Sequence, residues 1–282
     1  MSVPAETVRL PEVGRLRSLV GFYSTTMRTA VQEQFQYRTA NYFYMLGMIA
    51  EPVIYIVVWT TIADQNAGSV NGLTAGYFAA YYIVWTLVRN MNIVFGAPFW
   101  EWRIREGQLT TDLLRPIHPL HRDIAYFAGW KVVVIVLWIP LAVGLSLVFH
   151  PSMSPNPQQV VAFALAIWGA YLLRTMFQES LGMLCFWTTR GAAIFDLWMT
   201  TELLLSGRLV PLPLMPDWVQ EVSRYLPFQW AFYFPIQCLV GDYSNEELVR
   251  GIGAQVLWIL IGLGIFRVAW KHAIKRYSAV GG

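Results

Sequence analysis

The chain has 282 residues, of which 56% are hydrophobic and only 13% are charged. An average soluble domain carries roughly a quarter charged residues, so this composition argues against a soluble protein and predicts one that is surrounded by lipid. The net charge of +3 is too small to indicate a nucleic-acid-binding protein, and the 13 Trp and 14 Tyr residues are typical of a chain that meets membrane–water interfaces.

The N-terminal segment, residues 1–38, is too polar to cross a membrane. From about Val13 to Arg38, apolar residues recur at helical spacing opposite basic and amide side chains. This pattern predicts an amphipathic helix lying in the inner membrane interface, and a soluble cytoplasmic helix packed on a partner is the alternative. The apolar patch from Leu19 to Tyr23 is too short for a signal peptide, so we expect a cytoplasmic N-terminus.

Six later stretches are apolar over about the twenty residues that a spanning helix requires. The predicted spans are residues 39–62, 75–97, 124–149, 158–187, 192–210 and 251–269. They predict one all-α integral membrane domain, residues 39–282, with no internal repeat. Lys131 lies near the inner end of the third span, and its ammonium group is expected to reach the interface.

The distribution of basic residues predicts the orientation, because Lys and Arg resist translocation. If both termini are cytoplasmic, most of the 20 Lys and Arg residues fall on the cytoplasmic side. The predicted external loops, residues 66–73 and 150–158, contain neither residue type. An even number of spans with both ends inside fits this distribution.

Charged residues within the predicted spans form two matched pairs. Glu51 and Arg89 lie at similar depths in the first and second spans, and Arg174 and Glu202 do so in the fourth and fifth. Because an unpaired ion in lipid costs at least a few kcal/mol, we expect two buried ion pairs. A structural role is the favoured interpretation, and contact with substrate is the alternative.

The largest predicted cytoplasmic connection, residues 99–123, mixes charged with apolar side chains. Pro116 and Pro119 are expected to stop any long helix there. A short exposed helix with apolar residues indicates a docking element, and a solvated loop is the alternative. His118 and His121 are not expected to bind a metal, because Pro119 breaks the helical spacing between them.

A second irregular segment, residues 208–242, places five prolines among aromatic side chains on the predicted outer side. It is too apolar for a free loop and too interrupted for a spanning helix. Two short re-entrant helices in the outer leaflet fit these facts, at the place of an outer gate, and an aromatic interfacial belt is the alternative. The candidate gate residues are Pro211, Pro213, Pro216, Pro227, Phe228 and Trp230.

The sequence lacks the Gly-rich loop ending in Gly-Lys-Ser or Gly-Lys-Thr that binds ATP phosphates. We therefore expect no catalytic residue, cofactor or metal in this chain. Two halves with matching Gly- or Pro-broken helices, which would indicate an ion-coupled secondary transporter, are not evident either.

Several short motifs resemble those of a known family. Leu113–Leu120 reads LLRPIHPL, Leu205–Leu214 reads LSGRLVPLPL, Leu226–Gln229 reads LPFQ, and the tail Lys275–Gly282 reads KRYSAVGG. In this order and on this topology they resemble the permease subunits of type-two ABC transporters, in the bacterial branch of six-helix exporters.

The resemblance implies that a separate ATPase subunit binds ATP and Mg and seats on a coupling helix near residues 101–114. The coupling residues would be Glu101, Arg103, Arg105, Glu106, Leu113 and Leu114. It also implies a second permease chain, identical or paralogous, which meets this one mainly through the first and fifth spans in the bacterial inner membrane.

The implied function is ATP-driven export of an amphipathic, drug-like or lipid-like molecule by alternating access. The alternatives are an ion-coupled secondary transporter that acts without an ATPase, and a structural membrane subunit of a larger complex.

Overall fold

The computed structural model describes residues 15–36, 38–188 and 190–277. Within these ranges the chain forms twelve α-helices, three short 3₁₀ turns and one hairpin of two strands, β1 (Ser69–Val70) and β2 (Leu73–Thr74). Two parts of the chain named above lie outside the described residues. They are residues 1–14 of the predicted N-terminal segment and residues 278–282 of the tail motif.

The helices follow one another with short connections. They are α1 (Arg15–Gln36), α2 (Arg38–Gln65), α3 (Ala75–Met91), α4 (Gly96–Arg105), α5 (Gln108–Leu113), α6 (Pro119–Phe149), α7 (Pro157–Gly182), α8 (Gly191–Leu205), α9 (Asp217–Arg224), α10 (Phe228–Ala231), α11 (Tyr233–Val240) and α12 (Asn245–Ala273). The 3₁₀ turns are Met183–Phe186, Leu212–Leu214 and Ile274–Arg276.

Four helical stretches in the described part of the chain are long and apolar enough to cross a membrane. They are Gly47–Gln65, Pro119–Phe149, Pro157–Phe186 and Asn245–Arg276. The other two predicted spans correspond to α3 with 17 residues and α8 with 15 residues. At 1.5 Å per residue these are about 25 Å and about 22 Å long, shorter than the hydrocarbon core of about 30 Å.

Helix α3 is the centre of the protein. From Phe78 to Asn92, a stretch that is described throughout, every residue except Arg89 is buried. The helix packs against α2, α6, α7 and α11. Aromatic pairs fill the α2–α3 contact, with Tyr55 stacked on Tyr82 at 5.0 Å between ring centroids. The buried faces of these helices form the largest hydrophobic core.

Helix α6 begins at Pro119, where the sequence led us to expect that helix formation stops. The side chain of His118 caps the helix, because its Nδ1 accepts a hydrogen bond from the backbone N–H of Leu120 at 3.1 Å. Proline is well suited to the first helical position, since it has no N–H to leave unsatisfied there. The third long helix therefore starts at residue 119 rather than 124.

The expectation that Lys131 reaches the membrane interface was wrong. Its side chain is fully buried, and its Nζ donates to the carbonyl oxygens of Asn90 at 3.1 Å and Ile93 at 2.6 Å. These carbonyls lie at the C-terminal end of α3, where the regular hydrogen bonding of the helix stops. The ammonium group donates hydrogen bonds to them there. This contact explains in part why α3 stops at Met91 and not near residue 97.

Helix α1 packs along α6 at a very close approach. A Cβ atom at Gly129 of α6 would lie 2.6 Å from the backbone oxygen of Met27, so only glycine fits. Tyr23 and His121 add a hydrogen bond at 2.9 Å between their side chains. Leu16, Val20 and Phe35 of α1 are nevertheless exposed, so one apolar face of this helix has no partner within the described residues.

Candidate functional site

The cytoplasmic segment α4–α5 is organised around Arg103. This side chain is fully buried and forms a two-pronged ion pair with Asp123 of α6, in which Nη1 lies 2.7 Å from Oδ2. Its Nε lies 3.8 Å from Asp112 of α5, and Arg122 pairs with the same Asp112. Burial lowers the pKa of Arg103, but the hydrogen bond to Asp123 and the negative charges of Asp123, Glu179 and Asp112 together outweigh this effect and raise the pKa overall.

Two further contacts join α4 to the other helices. Trp100 donates from Nε1 to Glu179 of α7 at 2.6 Å. The carboxylate of Glu101 accepts the backbone N–H of Ala192 at 3.1 Å, at the N-terminus of α8, where a negative charge is favourable. The segment is therefore fixed to α6, α7 and α8 at once.

The predicted coupling residues divide into two groups. Arg103 is buried and Glu101 binds the start of α8, so both act within the protein. Arg105, Glu106, Leu113 and Leu114 face outward; the Arg105 side chain is 65% exposed and Leu114 is 82% exposed. Exposed apolar residues on a firmly held helix are typical of an interaction surface.

The acidic partners of this segment were not predicted from the sequence. Asp112, Asp123 and Glu179 are almost fully buried, and their importance depends on contacts between residues far apart in sequence. The sequence signal for these partners was Arg103 between the apolar residues Trp102 and Ile104. A guanidinium that is buried needs carboxylates nearby.

The structure brings together both charge pairs that the sequence analysis had matched by depth. Arg89 Nη2 lies 2.6 Å from Glu51 Oε2, and Arg174 Nε lies 2.7 Å from Glu202 Oε2. Trp198 donates a further hydrogen bond to Glu202 at 3.0 Å. Each pair joins two helices, α2 with α3 and α7 with α8.

A third arginine, Arg208, links these two pairs into one charged cluster, which consists of Glu51, Arg89, Arg174, Glu202 and Arg208, and was not singled out from the sequence. Its Nη1 lies 3.6 Å from Glu202 Oε1, and the charges of Arg174, Arg89 and Glu51 also act on it. Three arginines and two glutamates leave one net positive charge. The signal was an arginine inside the apolar motif LSGRLVP, at the start of the predicted outer segment 208–242.

Helix α8 ends at Leu205, before the predicted residue 210, because aromatic donors on α3 hold the following backbone. The carbonyl oxygens of Gly207, Arg208 and Leu209 accept hydrogen bonds from α3. The donors are Tyr81 Oη at 2.7 Å, Trp85 Nε1 at 2.9 Å and Tyr82 Oη at 3.4 Å, respectively. Non-helical backbone at membrane depth requires such partners.

The predicted gate residues lie in the short elements that follow α8. Pro211 directly precedes the 3₁₀ turn Leu212–Leu214, and Pro213 lies within it. Pro216 directly precedes α9, and Pro227 directly precedes α10. Phe228 is buried beside Trp198, with ring centroids 4.8 Å apart, and Trp230 packs on Phe234. Pro211, Pro227 and Phe228 are buried, whereas Pro213 and Pro216 are exposed.

Two amide side chains hold α10 against the long helices. Asn92 donates to the carbonyl oxygen of Ala231 at 2.6 Å, and Gln255 of α12 donates to that of Trp230 at 2.8 Å. Helix α11 then returns along α3 and α7. The carbonyl oxygen of Gly241, just after α11, accepts from Gln159 near the start of α7 at 2.9 Å.

The two histidines near α6 have separate partners. His121 bonds to Tyr23, whereas the His118 ring packs on Trp270 with centroids 4.4 Å apart. Within the residues that the structure describes, no group of three His, Cys, Asp or Glu side chains could hold a metal ion.

Comparison with protein-family models gives one match. The model described as "ABC-2 family transporter protein" covers residues 49–281. The matched region contains the α4–α5 segment, the charged cluster and the elements between α8 and α12. The comparison with curated proteins found no match.

Proposed function

This chain belongs to the ABC-2 family of transporter proteins, and we propose that it is the permease of an exporter in which a separate subunit binds ATP and Mg. Membership of the family makes it a multi-pass membrane permease subunit of an ABC transporter, with an ATP-binding subunit as its partner. Export, the substrate class and the site at which the ATPase binds are our proposals. The observation that carries the proposed ATPase site is the firmly held α4–α5 segment with its exposed side chains.

We place the ATPase contact on the coupling surface, defined as Arg105, Glu106, Leu113 and Leu114. A surface that transmits force must be rigid relative to the spans it moves, because a soft connection would absorb the displacement. The Arg103 ion pairs, the Trp100–Glu179 bond and the Glu101–Ala192 bond supply that rigidity toward α6, α7 and α8. Closure of two ATPase subunits would then reorient three helices together, as alternating access requires.

We propose six spans: α2, α3, α6, α7, α8 and α12, with both termini cytoplasmic in the bacterial inner membrane. The short α3 and α8 span with help from neighbouring structure. The β-hairpin precedes α3 and α4 follows it, while the backbone after α8 is satisfied by Tyr81, Tyr82 and Trp85. Helix α1 would lie in the inner interface, where its exposed Leu16, Val20 and Phe35 can enter lipid.

We propose that α10 and α11 form a re-entrant hairpin that acts as the outer gate. Gln255 of α12 also donates to the carbonyl oxygen of Ala166, which lies nine residues after the first residue of α7 and so about 14 Å along that helix, and it holds Trp230 at that level. Gly241 then bonds to Gln159, near the outer start of α7. The segment thus reaches about half the membrane depth and returns to the same side.

Helices α2 and α8 also present unpartnered apolar residues, including Ile54, Val57, Leu197 and Leu204. We propose that these faces meet a second permease chain, identical or paralogous, and enclose the path. Apolar walls suit an amphipathic, drug-like or lipid-like cargo.

The coupling surface can be tested by co-purification with the ATPase. We expect the variant that combines Arg105→Glu, Glu106→Arg, Leu113→Asp and Leu114→Asp to reach the membrane folded but to lose the ATPase. The matched control reverses the exposed pair Glu246 and Arg250 at the start of α12, which should leave association intact. Full ATPase association by the fourfold variant would refute this assignment.

A further inference from the structure

Arg208 has unused hydrogen-bonding capacity at membrane depth. A guanidinium carries five N–H donors, yet within the described ranges this side chain makes no hydrogen bond and one ion pair, at 3.6 Å to Glu202. Its own backbone carbonyl is fixed by Trp85, which lies ten residues after the first residue of α3 and so about 15 Å along that helix. A poorly paired arginine at such depth costs folding free energy. Its presence therefore indicates a functional site.

Arg89 shares this property. Its Nη2 pairs with Glu51, but its Nε is buried without a hydrogen-bond partner. In the buried stretch from Phe78 to Asn92, Arg89 is also the one residue that reaches a partly exposed surface. The packing of α3 therefore leaves an opening at this position.

The charged cluster has a buried part and an exposed part. Arg174 and Glu202 are buried, whereas the side chains of Glu51, Arg89 and Arg208 are 34%, 27% and 17% exposed. The exposed part holds two arginines and one glutamate, so the excess positive charge lies where a ligand can reach it. Ile54 and Val57, on the turns of α2 after Glu51, are exposed and apolar.

We propose that Arg89 and Arg208 bind an anionic head group of the transported amphipathic molecule, a phosphate or carboxylate, while its apolar part lies along α2. This inference rests on the proposed transport function and adds the charge of the cargo. Guanidinium groups bind phosphate and carboxylate oxygens through paired N–H donors, which fits the unused donors of Arg208 and the partly exposed side chain of Arg89. The bound anion would neutralise the cluster during its passage.

The test measures head-group selectivity in the assembled complex. The permease with its ATPase, in phosphatidylcholine nanodiscs, is titrated with fluorescent phosphatidylglycerol and with phosphatidylcholine of the same chains. We expect the anionic lipid to bind at least about tenfold more tightly, the effect of one charge-assisted hydrogen bond. Equal binding of both lipids by the wild-type complex overturns the proposal without the need for any variant.

Variants then assign the selectivity to the cluster. Arg208→Gln should abolish the preference and Arg208→Lys should retain part of it. Arg224→Gln, on the exposed surface of α9, should behave as the wild type. A preference that survives Arg208→Gln in a folded complex contradicts the proposal.

Two additional readouts complete the test. Competition by free glycerol phosphate would support recognition of the head group alone, and competition by phosphatidylglycerol only would support a site that also needs the chain. Vanadate-sensitive ATPase activity in the same nanodiscs separates the proposed ATP-driven transport function from the proposed binding of an anionic head group. If that activity depends on the permease but the lipids bind equally, the proposed function stands and this inference alone fails.

Discussion

Arg103 illustrates how a single side chain can be essential to a surface without being part of it. It has no exposed area, yet its contacts with Asp112 and Asp123 set the position of the helices that carry the coupling surface. The neighbouring Arg105 has the opposite character, because it is exposed and makes only a loose pair with Glu101 at 3.4 Å. Of two arginines two positions apart, Arg103 is buried and positions the helices, whereas Arg105 is exposed and is proposed to contact the ATPase.

The first prediction follows from this contrast. Arg103→Ala leaves the buried Asp123 with only the more distant Arg122, at 4.0 Å, and breaking a buried pair typically costs about 3–5 kcal/mol of folding stability. We expect the melting temperature of the detergent-purified protein to fall by several degrees. Arg105→Ala is the matched control and should leave it nearly unchanged, because exposed pairs contribute little. Equal melting temperatures for the two variants would contradict the account.

A second prediction concerns the pair Glu51 and Arg89. Glu51→Ala leaves the Arg89 guanidinium unpaired within the membrane, so we expect a lower yield of folded protein. Adding Arg89→Ala should recover part of that yield, because the second change removes the stranded charge. Fluorescence-detected size-exclusion chromatography gives the folded fraction, and a double variant worse than the sum of the single variants would refute the pairing.

At the scale of helices, the ends depend on local side chains. The start of α6 depends on His118, whose Nδ1 accepts the Leu120 N–H. Burial, with a smaller effect of His121, lowers the pKa of His118 below its ordinary 6.5. The folded state thus favours the neutral ring, which alone can accept this hydrogen bond.

The third prediction is a pH dependence with a defined sign. The unfolded chain binds a proton at His118 more readily than the folded one, so this residue stabilises the fold above pH 6.5 and the contribution is lost as the pH falls below it. We expect the melting temperature to decrease over that range, and to decrease less in His118→Gln. Identical pH profiles for both proteins would show that the cap has no such role.

A fourth prediction tests the packing of α1 on α6. Gly129→Val places atoms where Met27 lies and should detach α1. Trypsin cleavage at Arg17 or Arg28 should then become faster in the folded protein. Gly144→Val on the same helix is the control, because nothing lies within 4 Å of its added Cβ. Equal cleavage rates in both variants would contradict close α1–α6 packing.

At the scale of the molecule, the all-α membrane class and the transporter family were predictable, since both depend on long apolar stretches and short motifs that are local in sequence. The depths of Glu51 and Arg89 could be matched for the same reason. The ends of α3 and α8 could not, because Lys131, Tyr81 and Trp85 determine them through contacts between distant segments. The division of the coupling residues between a buried and an exposed group likewise needed three-dimensional packing.

We propose that this permease exports its cargo with energy from a separate ATPase. The most direct measurement is uptake of a fluorescent amphipathic substrate into inverted vesicles that contain the chain with or without its ATP-binding partner. We predict uptake that requires both subunits and ATP and that vanadate abolishes. Uptake by the chain alone, driven by an ion gradient and insensitive to vanadate, would contradict the account.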